Sequence, residues 1–182
     1  MSDAPICADA VCSSETTLEL SEKARSLSGN SSEITDSKGK VVFKIDGHNM
    51  TVHARRSLVN AKGKTVGQLR ESKGLHRHKT YYIGTKDDDK KMEVKEKGTF
   101  DPVHCDAEIL NHKGKKVGEC KGNWRSKDFT IDYDGKKVCT VHRKTDASGK
   151  ILNCDNYDLK IKAGVDMAFV VLVVTALDEM YH

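Results

Sequence analysis

Along most of the chain, short apolar runs alternate with polar residues, and the breaks between the runs repeat one phrase. It reads Lys38-Gly39-Lys40, Lys62-Gly63-Lys64, Lys113-Gly114-Lys115, Asp134-Gly135-Lys136 and Ser148-Gly149-Lys150. Each sets a glycine between polar neighbours, and the first four lead straight into a β-branched stretch, a hairpin signature. The pattern predicts an all-β meander. Within the strands that follow these turns, Phe43 and Ile45, Gly67 and Leu69, Gly118 and Cys120, and Cys139 and Val141 share one parity. Lys44, Gln68, Glu119 and Thr140 share the other, so the first set is predicted to face the core. Val42, Val66, Val117 and Val138 conflict with this assignment, because they fall on the polar parity.

A longer repeat underlies the short one. Glu33-Ile34 through Gly39, Val42, Ile45 and Gly47 superposes, at an offset of 75, on Glu108-Ile109 through Gly114, Val117, Cys120 and Gly122. Two similar sheet-forming halves are therefore expected in one barrel or sandwich. Between them, Lys86 to Lys91 reads as a solvated hairpin tip joining strands Thr80 to Ile83 and Met92 to Lys95. Its acids lack the spacing, glycine and distal Glu of a calcium loop.

The carboxyl-terminal segment breaks the pattern. Val165 to Leu177 is apolar on every side with no period of two. Its length favours a helix, with Asp166 as N-cap, and a helix apolar all round must be enclosed by protein. A sheet wrapped around a helix satisfies both halves of the pattern. The apolar run from Met167 is too short to span a bilayer, which needs about 20 residues.

Composition bounds the rest. The 182 residues suit one domain, and 37% hydrophobic with 32% charged residues excludes a polytopic membrane protein and a fully disordered chain. The net charge of +4 is unevenly spread: residues 36 to 80 hold 11 Lys/Arg against Asp36, Asp46 and Glu71. The amino terminus has no basic segment followed by an apolar one, so a cytoplasmic location is expected, with peripheral plasma-membrane or nuclear association as variants. Cys7, Cys12, Cys105, Cys120, Cys139 and Cys154 are then free thiols. Residues 1–15 are expected to form a mobile tail, and residues 16–182 one barrel with its helix over about 166–177.

Three segments resemble the LURP-one-related family. Gly164-Val165-Asp166-Met167-Ala168-Phe169-Val170-Val171, ending in Leu177-Asp178-Glu179, is similar to its carboxyl-terminal signature. Asp36 to Gly47 resembles its first hairpin, and Lys121-Gly122-Asn123-Trp124 its central Lys-Gly-Ser-Trp turn. Met167 departs from the family's usual aromatic residue before Ala-Phe. The resemblance implies the fold of tubby carboxyl-terminal domains and phospholipid scramblases: a closed antiparallel β-barrel of about twelve strands around a carboxyl-terminal hydrophobic helix. It also implies strand structure within Thr17 to Ser26. Plant members are associated with pathogen defence, tubby domains bind phosphoinositides, and scramblases are associated with lipid movement. Neither the phosphoinositide-binding residues nor the scramblase calcium segment can be matched to positions here.

Candidate chemistry is sparse. His104 with Cys105, and Cys139 with His142, are close in sequence but sit at spacings that diverge on a strand, so neither histidine activates a thiol. Tight Cys-x-x-Cys pairs are absent, so no metal, cofactor or enzymatic activity is expected. What remains is the basic stretch, with His53, Arg55, Arg56, Arg70, Lys73, Arg77 and Lys79 as candidate anion-binding residues, flanked by His76 and His78. His53-Ala54-Arg55-Arg56 resembles a His-Asp-Arg segment of the family with the acid replaced by Ala54. The expected ligand is an anionic phospholipid headgroup or membrane surface bound by a monomer. A protein-interaction scaffold in signalling or defence is the alternative. Nucleic acid ranks below both, because Tyr81 and Tyr82 are the only stacking aromatics near the stretch.

Overall fold

The computed structural model describes residues 5–22, 32–48, 55–72, 79–86, 89–98, 103–143 and 156–181. The strands are β1 (Thr16–Glu22), β2 (Ser32–Asp36), β3 (Val41–His48), β4 (Arg55–Asn60), β5 (Thr65–Glu71) and β6 (Thr80–Gly84). They continue as β7 (Met92–Glu96), β8 (His104–Asn111), β9 (Lys116–Asn123), β10 (Asp128–Tyr133), β11 (Lys136–Arg143) and β12 (Asn156–Ile161), and the helix α1 (Met167–Tyr181) follows. Every strand pairs antiparallel with the next, and β1 pairs with β12, closing a barrel of twelve strands. Closure leaves no sheet edge to pair with another chain.

The glycine phrases are hairpin turns, and three share one mechanism. Asp36 Oδ1 accepts the amides of Lys38 and Lys40 at 2.9 and 3.0 Å. Asn60 and Asn111 do the same for Lys62 and Lys64, and for Lys113 and Lys115. Gly39, Gly63 and Gly114 take the positive φ these turns need, at 76°, 79° and 75°. The Asp134-Gly135 turn is tighter, with both residues at positive φ, the two-residue geometry that matches strand twist. The Ser148-Gly149-Lys150 turn lies outside the described residues.

The conflicting valines have a single cause. In the β2–β3 ladder Ile34 faces Phe43 and Thr35 faces Val41, so Val42 is skipped as a bulge. Val66, Val117 and Val138 are skipped in the same way opposite Leu58/Val59, Ile109/Leu110 and Ile131/Asp132. A bulge inserts an extra residue on one strand and reverses the parity beyond it. The predicted inward set is buried: Phe43, Ile45, Leu69, Cys120, Cys139 and Val141 are at most 5% exposed. The bulges recur at corresponding points of the two halves, so the sequence repeat is also a structural one.

With strands about 4.8 Å apart and tilted about 40°, a twelve-stranded barrel is about 24 Å across, which admits one helix plus a layer of side chains on each side. Ala168 to Leu177 are buried there without interruption, and the Phe169 ring meets Tyr133 edge-on at 5.2 Å. The helix passes so close to β5 that a Cβ on Gly67 would lie 2.6 Å from the Leu172 side chain. Asp166 caps α1 as expected, its Oδ1 accepting the amides of Ala168 at 2.8 Å and Phe169 at 3.3 Å. The helix runs four residues past the expected end, to Tyr181.

The expectation of a mobile tail over 1–15 is corrected for residues 5–15. Ile6, Ala10 and Cys12 are buried, and Ala8–Ala10 forms a short 3-10 helix. The Cys7 amide donates to Asp166 Oδ2 at 2.8 Å, Val11 bridges to Asp166, and the Cys12 amide donates to the Val165 carbonyl at 3.0 Å. The mouth of the barrel where α1 enters exposes apolar surface, and the small side chains of this segment cover it. No helix among the described residues is long and apolar enough to cross a membrane.

Candidate functional site

An apolar helix ending in Asp178 and Glu179 places two acids where the negative end of its dipole already stands, which is unfavourable without cations. α1 has no base in its last turn, so the barrel supplies them. Arg56 alternates with Leu58 on the inner face of β4 and reaches Glu179: its Nη2 and Nε donate to Oε1 at 2.6 and 2.9 Å. Lys79, just before β6, donates its Nζ to the Met180 carbonyl at 2.8 Å and the Glu179 carbonyl at 3.3 Å. This caps two of the terminal carbonyls that no helical amide can satisfy. Two of the predicted anion-binding residues therefore serve the chain's own helix terminus and are corrected to structural positions.

A third cation joins them that the sequence reading missed. Lys127, in the β9–β10 turn and only 8% exposed, lies 3.4 Å over the Trp124 ring and 3.5 Å from the Asp178 carboxylate. A lysine buried this deeply needs both an aromatic face and a counter-charge. Trp124 also packs on Tyr181 at 5.8 Å, and the Tyr181 hydroxyl lies against the Asp106 backbone. Burial pushes the Tyr81 and Tyr181 phenols up, away from ionisation. The signal that could have found this cluster was the acid pair at the end of an apolar helix.

Arg55 and Arg70 behave differently. Their neighbours Arg56 and Leu69 face the lumen, so both arginines face outward, and they stand opposite each other in the β4–β5 ladder. Tyr82 is opposite Arg70 on β6, and the Lys90 ammonium lies 4.3 Å over its ring. The structure thus brings Arg55, Arg70, Tyr82 and Lys90 together on one outer patch. His53, Lys73 and Arg77, with His76 and His78, lie outside the described residues.

The thiols are placed against reactivity. Cys105, Cys120 and Cys139 face the lumen, and burial pushes Cys105 and Cys139 up to about 12 and Cys120 well above its ordinary value. Thiolate, the nucleophilic form, is disfavoured at each. His104 is exposed while Cys105 is buried, and His142 turns outward to Asp128 at 3.2 Å. Cys12 donates its thiol to the Lys162 and Val165 carbonyls, and Cys154 lies outside the described residues. Among the described residues no group of three or more metal-ligating side chains converges.

A family model described as LURP-one-related matches residues 16–178. Protein LURP-one-related 10 of Arabidopsis thaliana is 24% identical over 173 residues, covering 90% of this chain and 89% of that protein. Protein LURP-one-related 5 of the same organism is 26% identical over 176 residues, covering 92% and 84%. An X-ray structure of a protein from Arabidopsis thaliana superposes with a TM-score of 0.72 at 18% identity, covering 98% of this chain and 99% of that one. At that identity it speaks for the fold alone.

Proposed function

The chain belongs to the LURP-one-related family, and from that premise we propose that it is a non-enzymatic binding protein for an anionic phospholipid headgroup, held against the outside of the barrel. The observation that carries the reading is the outward pair Arg55 and Arg70, opposite each other in register with Tyr82 beside them. Two guanidinium groups at opposed positions of neighbouring strands can hold one phosphate between them through charge-assisted hydrogen bonds whose fork geometry suits phosphate oxygens. The helix-filled lumen favours an external ligand over an enclosed one. The binding form in this reading is a monomer at the cytoplasmic face of a membrane, with a scramblase-like fold used for adhesion.

The test is sedimentation with phosphatidylcholine vesicles containing a phosphatidylinositol phosphate. Each cation near an anionic leaflet contributes about 1 kcal/mol, so Arg55→Ala with Arg70→Ala should weaken partitioning about thirtyfold. The melting temperature should stay nearly unchanged, and added salt should weaken the wild type. Absence of vesicle binding by the wild type at low salt would overturn the proposal in favour of a protein-interaction scaffold. Salt-dependent retention of duplex DNA in its place would favour a nucleic-acid role.

A further inference from the structure

In an up-and-down barrel successive connections alternate between the two ends. The β2–β3, β4–β5, β8–β9 and β10–β11 turns therefore share one end, and it is the end where residues 5–15 cover the start of α1. Those four turns and the first residues of the strands that follow carry Lys116, which pairs with Glu108 and Glu119, and eight further lysines, Lys38, Lys40, Lys62, Lys64, Lys113, Lys115, Lys136 and Lys137, against Asp36 and Asp134. All eight are exposed. Among the described residues none of the eight has a salt-bridge partner, and the Asp36 carboxylate is occupied by backbone amides. On the walls Lys44 pairs with Glu33 and Lys121 with Glu119, whereas at this end Lys160 and Lys162 pair with Glu15 of the covering segment.

A second feature stands at the same end. Val11, bridged to Asp166 at the helix entrance, is 41% exposed and is the exposed large hydrophobic residue among those described. Cations at the corners around an apolar point suit a flat anionic surface with an apolar interior beneath it. The turns carry no aromatic residue on which a nucleobase could stack. Asp9 and Glu15 are the exposed acids of the covering segment, Glu15 paired with Lys160 and Lys162, and the β6–β7 connection Lys86-Asp87-Asp88-Asp89-Lys90-Lys91 adds three bases and three acids.

We infer that this lysine-cornered end is a membrane-docking face, seating the barrel end-on upon an anionic bilayer with Val11 directed at the headgroup layer. The inference shares its class of ligand with the proposed function and rests on that reading, but it assigns a different surface. Arg55 and Arg70 stand at the other end of β4 and β5 from the β4–β5 turn, beside the α1 terminus, so the two surfaces cannot sit on one flat bilayer together and the variants below separate them.

The test uses the full chain and vesicles of phosphatidylcholine with phosphatidylserine, read by sedimentation at low salt. Lys62→Gln with Lys64→Gln, and separately Lys136→Gln with Lys137→Gln, should each weaken partitioning about thirtyfold, from about fivefold per lysine. Lys44→Gln with Lys121→Gln, on the walls, should change it less than about twofold. A Val11→Trp variant should gain quenching by brominated lipid that the wild type, whose Trp124 is 4% exposed, does not show. Loss from Arg55→Ala with Arg70→Ala but from neither turn pair would overturn the docking face and leave the proposed function standing. Equal loss from turn and wall pairs would overturn it as diffuse attraction. Dependence on the turn lysines for duplex retention, without vesicle binding, would overturn both readings.

Discussion

The two ends of this barrel use the same side chains for opposite purposes. Where α1 finishes, Arg56, Lys79 and Lys127 are drawn inward to Glu179, the Met180 carbonyl and Asp178. Where α1 begins, the helix dipole is positive and Asp166 with the Cys7 amide completes the cap. There the cap needs no cation, and among the described residues its turn lysines stay exposed without ion-pair partners. A basic residue in the sequence therefore says little until the helix direction is known. The same charge is structural at one mouth and available to a partner at the other.

The largest expected effect is at the cation-filled end. Arg56 and Glu179 are 12% and 23% exposed, so removing the arginine strands a mostly desolvated carboxylate. Arg56→Ala should cost about 2 kcal/mol in urea denaturation, and the further change Glu179→Gln should recover part of it. Full additivity of the two would mean that the pair does not interact, and the contrast between the ends would fail.

A smaller effect is expected at the opposite end. Asp166→Asn keeps an oxygen to accept the Ala168 and Phe169 amides but turns an NH₂ toward the Cys7 amide, where a carboxylate oxygen now accepts. The helix cap should survive, residues 5–15 should loosen, and stability should fall about 1 to 2 kcal/mol. Burial holds the Asp166 carboxyl above its ordinary 3.8, so the folded protein binds that proton more tightly than the unfolded chain. Its contribution to stability therefore falls as pH rises through the window above 3.8. Glu119 runs the other way: hydrogen bonds from Lys116 and Lys121 lower it to about 2, so its contribution is lost as pH falls below its ordinary 4.5. Loss of the falling component in a pH series of Asp166→Asn, with faster thiol labelling of Cys12, would support the arrangement. An unchanged pH series would break it.

How far the sequence alone carried follows from the range over which each signal acts. Strand turns, the lumen-facing parity and the Asp166 cap are local, and Lys-Gly-Lys, Phe43-x-Ile45 and Gly-Val-Asp announce them within a few residues. The bulges at Val42, Val66, Val117 and Val138 were visible only as a parity conflict, because a bulge is defined by its partner strand. Arg56 and Lys79 looked like surface cations because Glu179 and Met180, their partners, lie about a hundred or more residues away in the chain. Residues 5–15 read as a tail because small apolar residues such as Ile6, Ala10 and Cys12 have no period that reveals what they cover.

The smallest effect has the opposite sign, and it sharpens the comparison most. Unpaired lysines crowded at one end repel one another through solvent, so neutralising two of them should relieve repulsion without removing any contact. Lys62→Gln with Lys64→Gln should leave the unfolding free energy in urea denaturation unchanged or raise it by a few tenths of a kcal/mol at low ionic strength. The turn itself persists, because Asn60 binds backbone amides and not the lysine ammonium groups. Raising salt shortens the Debye length to about 8 Å or less and should erase the gain. Arg56→Ala should remain destabilising under the same salt, because its partner is screened by protein. A measurable loss of stability from the turn pair at low salt would mean that those lysines hold the fold, and the two ends would no longer differ in kind.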